Sequence, residues 1–87
     1  METRIAQIGV IIEDPSSAER FNELLHEYSE FIIGRMGLPY RAKGVNIISV
    51  ILDAPQDAIS ALSGKIGRLP GVSAKTVYSG IITKNEK

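Results

Sequence analysis

Five cations stand beside turn-forming residues in this chain: Arg35, Arg41, Lys43, Lys65 and Arg68, with Tyr40 placed between two of the arginines. Guanidinium and ammonium groups near a phenol suit recognition of a carboxylate or a phosphate. They do not suit turnover, because no general base stands beside them. The single histidine, His26, falls by helical spacing with Asn22 and Glu30, away from any partner set that would complete a metal site. There is no cysteine, which excludes thiol catalysis, disulfides and cluster ligation by the chain. No Gly-x-Ser-x-Gly elbow occurs. Gly34-Arg35-Met36-Gly37 and Gly64-Lys65-Ile66-Gly67 do not match a phosphate-loop or dinucleotide fingerprint. Asp53 and Asp57 flank a helix start, where carboxylates complement the helix dipole, and Tyr28 and Tyr78 read as amphipathic packing residues. The expected chemistry is therefore binding, not catalysis, with no metal and no cofactor.

The elements that must position these residues follow from periodicity. Residues 4–13 read as a strand rich in β-branched side chains. Asp14-Pro15-Ser16-Ser17 is a turn into a helix, with Ser16 and Glu19 at capping-box spacing. Ala18, Phe21, Leu25 and Tyr28, with Leu24 beside them, form one apolar stripe. Residues 31–35 form a short second strand, and residues 36–44 a loop punctuated by Gly37, Pro39 and Gly44. Residues 45–53 are an almost wholly apolar third strand. Ala58, Ile59, Leu62, Ile66 and Leu69 mark the buried stripe of a second helix, which Gly67 can stop; Pro70-Gly71 fits a type II turn. Residues 72–79 are a fourth strand. Ile81 and Ile82 either extend it or dock elsewhere. The domain is expected to span residues 1–80, with residues 81–87 a tail.

An internal repeat supports the order β-α-β-β-α-β. The segment Ile8-Gly9-Val10-Ile11-Ile12-Glu13-Asp14-Pro15 aligns with Ile48-Ser49-Val50-Ile51-Leu52-Asp53-Ala54-Pro55, and Ala18 then falls opposite Ala58. Two similar β-α-β halves define a ferredoxin-like α+β sandwich: a four-stranded antiparallel sheet in the order 4-1-3-2, with both helices on one face.

The other face of that sheet should alternate with polar residues if it meets water. Instead Ile5 and Ile11 in the first strand, and Ile47 and Ile51 in the third, point there. A second copy of the chain is the expected cover, making a dimer or higher homo-oligomer, with the tail folded over the face as the alternative. The same topology gathers the turn 14–17, the loop 36–44 and the turn 64–71 at one end. Arg35, Tyr40, Arg41, Lys43 and Arg68 are the candidate binding residues there, for a small anionic ligand or an acidic protein partner. The N-terminus of the first helix lies at that end too. Glu13, Asp14 and Glu19 provide the alternative of internal neutralisation.

Composition narrows the partners. The 87 residues make one domain, and ten Lys and Arg balance ten Asp and Glu, so no whole-surface basic field exists for nucleic acid. RNA-recognition domains share this topology, but the stacking aromatics of their third strand are replaced here by Val45, Ile47 and Val50. The apolar runs are far too short to cross a bilayer, and no signal peptide is expected; with the missing cysteines this points to the cytoplasm.

Two stretches carry a family resemblance. Gly34-Arg35-Met36-Gly37-Leu38-Pro39-Tyr40-Arg41 leads towards Asp53-Ala54-Pro55, and Gly64-Lys65-Ile66-Gly67-Arg68-Leu69-Pro70-Gly71-Val72 leads to Lys75-Thr76-Val77-Tyr78. With the first strand and helix, the chain resembles the small proteins described as iron-only hydrogenase system regulators, related in fold to ACT-like regulatory domains and to the C-terminal half of nickel-responsive repressors. The resemblance implies a cytoplasmic regulatory protein linked to hydrogenase assembly or expression. It does not bring the repressors' histidine and cysteine metal ligands, nor their DNA-binding segment, so direct DNA binding is not expected. The turn Asp14-Pro15-Ser16-Ser17 also departs from the glycine-containing turn of amino-acid-binding ACT domains. The function expected is a non-enzymatic regulatory or ligand-sensing module; the alternative is a scaffold acting through its sheet face.

Overall fold

Strict alternation decides which way the two central strands face. In β1 (Glu2–Ile12), Ala6, Ile8, Val10 and Ile12 are buried, and in β3 (Val45–Ala54), Ile48, Val50, Leu52 and Ala54 are buried. Because β-strand side chains repeat every two residues, this commits the intervening residues to the opposite face. The computed structural model describes residues 2–84. It contains β1, α1 (Ala18–Glu27), β2 (Ile32–Tyr40), β3, α2 (Gln56–Gly67) and β4 (Val72–Lys84).

The strands form one antiparallel sheet in the order β2-β3-β1-β4, the arrangement expected of a ferredoxin-like α+β domain. Ile8 lies opposite Val50 at the middle of the β1–β3 ladder, so the repeated segments pair with each other at the centre of the sheet. Phe21, Leu24 and Leu25 of α1 and Ile59, Leu62 and Ile66 of α2 seal the covered face, joining the inward residues of β1 and β3 in one core. Their spacing of three or four residues puts each set on one helical face. Tyr28, Ala58 and Leu69 pack at its margin, half-buried.

Three local expectations are corrected. Residues 36–40 are strand, not loop: β2 continues in register from Gly34 opposite Ile51 to Tyr40 opposite Val45. Gly37 and Pro39 are tolerated because β2 is an edge strand, where a missing N–H need not break a ladder. The connection shrinks to the 3-10 turn Arg41–Lys43 and Gly44. At the start of α1, Ser16 and Glu19 form no capping box. Asp14 accepts from the Ser16 N–H (2.9 Å) and the Ser16 hydroxyl (2.7 Å) instead, heading a 3-10 turn at Pro15–Ser17. Gly67 stays inside α2 and the cap falls on Arg68.

The turn after α2 has the expected form, with Val72 N–H donating to the Leu69 carbonyl at 3.2 Å and Gly71 at φ 65°. Beyond Tyr78, β4 continues to Lys84 alongside the start of β1, after a register shift between Arg4 and Ala6. Part of the expected 81–87 tail is thus strand backbone, and residues 85–87 lie outside the described residues. No helix among the described residues is long and apolar enough to cross a membrane.

Candidate functional site

Two surfaces carry the residues singled out by the sequence. The first is the open sheet face. Ile5 (44% exposed), Ile11 (41%) and Ile47 (41%) lie on it, with half-buried Ile51 among them. Ile11 stands directly opposite Ile47, and Ile51 opposite Gln7. The β2 extension adds Met36 and Leu38, opposite Ser49 and Ile47, and β4 adds Val77, opposite Gln7. These three are each more than 60% exposed. The sequence reading misses Met36 and Leu38 because residues 36–44 read locally as a loop. The available signal was the alternation of Met36 and Leu38 about Gly37. Gln7 donates to the Ser49 hydroxyl at 2.7 Å across the centre of the face, leaving a small polar bridge within an apolar field.

The second surface is the end where the connections meet. The turn 14–17 and the turn before β4 are tied together: Glu13 N–H donates to the Gly71 carbonyl at 2.7 Å, and the buried Ser17 hydroxyl to the Pro70 carbonyl at 2.6 Å. The hairpin 41–44 reaches the same end, since Asn46 pairs with Ile12. The five candidate binding residues nevertheless do not converge. Arg41 and Lys43 sit in the hairpin turn on β2 and β3, whereas Arg68 caps α2. Tyr40 is on the open sheet face, in line with Leu38. Arg35 lies mid-strand, where the two-residue period turns it towards α1. Its Nη1 donates to Asn22 Oδ1 at 3.0 Å, and its guanidinium carbon stands 5.6 Å from the centre of the Phe21 ring. Lys65 is likewise withdrawn, donating to the Tyr28 hydroxyl at 2.9 Å.

The 3-10 turn that leads into α1 is already headed by the Asp14 carboxylate. The Ser16 hydroxyl, and then the Ser16 N–H, hold its pKa below the ordinary carboxylate value. The side chains of Arg41, Lys43 and Arg68 make no hydrogen bond or ion pair among the described residues. Among the described residues no three His, Cys, Asp or Glu side chains come together to hold a metal ion. His26 is exposed on α1 beside Glu23 and Glu27.

Comparison with known proteins places this geometry in a family. The TM1266-like family, described as "Iron-only hydrogenase system regulator, putative", matches residues 4–76, which takes in both central strands, both helices and every candidate residue. The chain belongs to this family. A solved relative, uncharacterized protein TM1266 from Thermotoga maritima, is 43% identical over 87% of this chain and 96% of its own, with a TM-score of 0.83. No match was found among curated proteins. Family membership thus accords with the expected fold and with the regulatory description.

Proposed function

We propose that the chain is a non-enzymatic, cytoplasmic regulatory module of the iron-only hydrogenase system, ACT-like in construction, which works as a homo-oligomer joined through its open sheet face. The observation that carries the reading is the apolar character of that face. Ile5, Ile11, Met36, Leu38, Ile47 and Val77 leave on the order of 600 Å² exposed, at the upper end of the ~300–600 Å² patch on a typical monomer and approaching the ~800 Å² per partner of a stable interface. The polar groups on the face include Gln7, Ser49, Ser73 and Lys75 near its middle and one edge, Thr3 and Asp53, and the Tyr40 hydroxyl.

Sedimentation of the purified chain tests this. The wild type is expected to sediment as a multimer at micromolar concentration, and Ile11→Glu with Ile47→Glu to weaken association at least tenfold while the helical spectrum persists. A monomeric wild type would overturn the reading.

A second reading, an anionic ligand or acidic partner at the connection end, is favoured by Arg41, Lys43 and Arg68, whose side chains have no partner among the described residues. Since they lie on separate elements, a broad acidic surface suits them better than a single small anion. Replacing Arg41 and Arg68 with Ala should abolish such binding and leave association unchanged.

A further inference from the structure

Between α1 and the edge strand β2 runs a groove of about 270 Å³. Its floor is apolar, made by Ile12, Phe21 and Ile48, and it is open because Gly37 has no side chain: a Cβ there would meet Ile48 Cγ1 at 3.8 Å, ordinary contact. Nothing within the chain therefore demands glycine at this position, and its backbone conformation is one any residue adopts.

Three polar groups face the groove. Asn22 is held by Arg35. Arg35 spends one N–H on Asn22 and has no carboxylate partner among the described residues. Asn46 is half-buried, and its side-chain amide bonds no described residue. A mainly apolar cleft with a few converging polar groups is the common form of a small-molecule site. A guanidinium steadied by a neutral amide and packed near an aromatic ring offers its remaining donors to a carboxylate in a fork.

We infer that this groove binds a small carboxylic acid with a branched or aromatic apolar body. The carboxylate takes the free edge of Arg35, and the apolar body lies over Gly37 against Phe21 and Ile48, towards Asn46 at the far end of the groove. No acidic side chain among the described residues lines the groove, so a ligand's ammonium group would find no counter-ion there. The site thus selects a simple or 2-oxo acid over the corresponding amino acid. The modest volume sets the ligand at a few heavy atoms beyond the carboxylate and the affinity in the millimolar to high micromolar range.

The test uses the full chain, uniformly 15N-labelled, with three probes followed in amide spectra: 4-methylpentanoate, its neutral amide 4-methylpentanamide, and leucine. The acid is expected to shift the amides of Gly37, Asn46 and Ile48 in a saturable way, with the other two at least tenfold weaker. Arg35→Gln should remove binding of the acid, and Gly37→Val, which fills the floor without backbone strain, should do the same. Both changes lie at exposed edge-strand positions, and thermal unfolding of each variant verifies that the fold is kept. Equal binding of acid and amide, preference for leucine, shifts confined to Met36 and Ile47 on the opposite face, retained binding in folded Gly37→Val, or no shifts at millimolar acid would each overturn the assignment.

Discussion

A Cβ placed on Gly71 would stand 2.6 Å from the Cβ of Asp14 and 3.0 Å from its backbone nitrogen. This approach lets the turn before β4 lie against the turn after β1, so that the Gly71 carbonyl reaches Glu13 N–H and the Pro70 carbonyl reaches Ser17. Gly71 also has φ 65°, a conformation that costs other residues roughly 1–2 kcal/mol. Gly71→Ala should therefore lower unfolding free energy by about 2 kcal/mol or more, read as a fall in the urea midpoint at unchanged slope. Gly9→Ala is the contrast: the nearest atom to its Cβ would be the Lys75 carbonyl oxygen at 3.9 Å, and stability should hold or rise slightly.

Ser17 is buried beside this turn, and its hydroxyl donates to the Pro70 carbonyl. Ser17→Ala removes the donor that ties the start of α1 to the turn before β4. The expected loss is about 1–2 kcal/mol in chemical denaturation.

Asp14 makes this junction pH-sensitive. Its pKa is lowered in the folded chain by the Ser16 hydroxyl and N–H, so the folded state binds its proton less readily than the unfolded state does. The resulting stabilisation is complete above the unfolded value of about 3.9 and is lost as pH falls through the lower, folded value. Wild type should exceed Asp14→Ala in stability near neutral pH, with the gap closing at acid pH. A carboxyl titration followed by NMR should place the Asp14 midpoint below the ordinary aspartate value.

At the other end of the sheet, Arg4 joins β1 to α2 and β4. It donates to Gln56 Oε1 at 3.0 Å and to the Ser79 carbonyl at 2.8 Å, and its guanidinium lies 4.6 Å from the centre of the Tyr78 ring. Gln56 in turn donates to the Tyr78 hydroxyl at 3.0 Å. Arg4→Ala should cost about 1–2 kcal/mol and speed amide exchange around Ser79, beside the register shift, more than in the β1–β3 ladder. Arg4→Lys should recover only part, since an ammonium cannot copy the planar fork.

The sequence by itself determined the architecture. Alternating β-branched residues, two helical stripes and the matched segments at Ile8 and Ile48 admit one economical arrangement, and short-range periodicity is a property of the chain alone. It also determined that Ile5, Ile11, Ile47 and Ile51 share a face, because a strand has a period of two. What only the tertiary structure decided lies at long range. Gly37 and Pro39 read locally as loop, yet pairing with β3 draws residues 36–40 into the sheet and adds Met36 and Leu38 to the open face. Asp14 displaces Ser16 as the capping residue because the turn's geometry, not the spacing of Ser16 and Glu19, aims the carboxylate at the Ser16 N–H. Arg35 leaves the other cations for the same kind of reason: at the last position of a short strand it could have joined them, but because β2 runs on to Tyr40 it lies mid-strand with its side chain on the covered side, against Asn22 and Phe21.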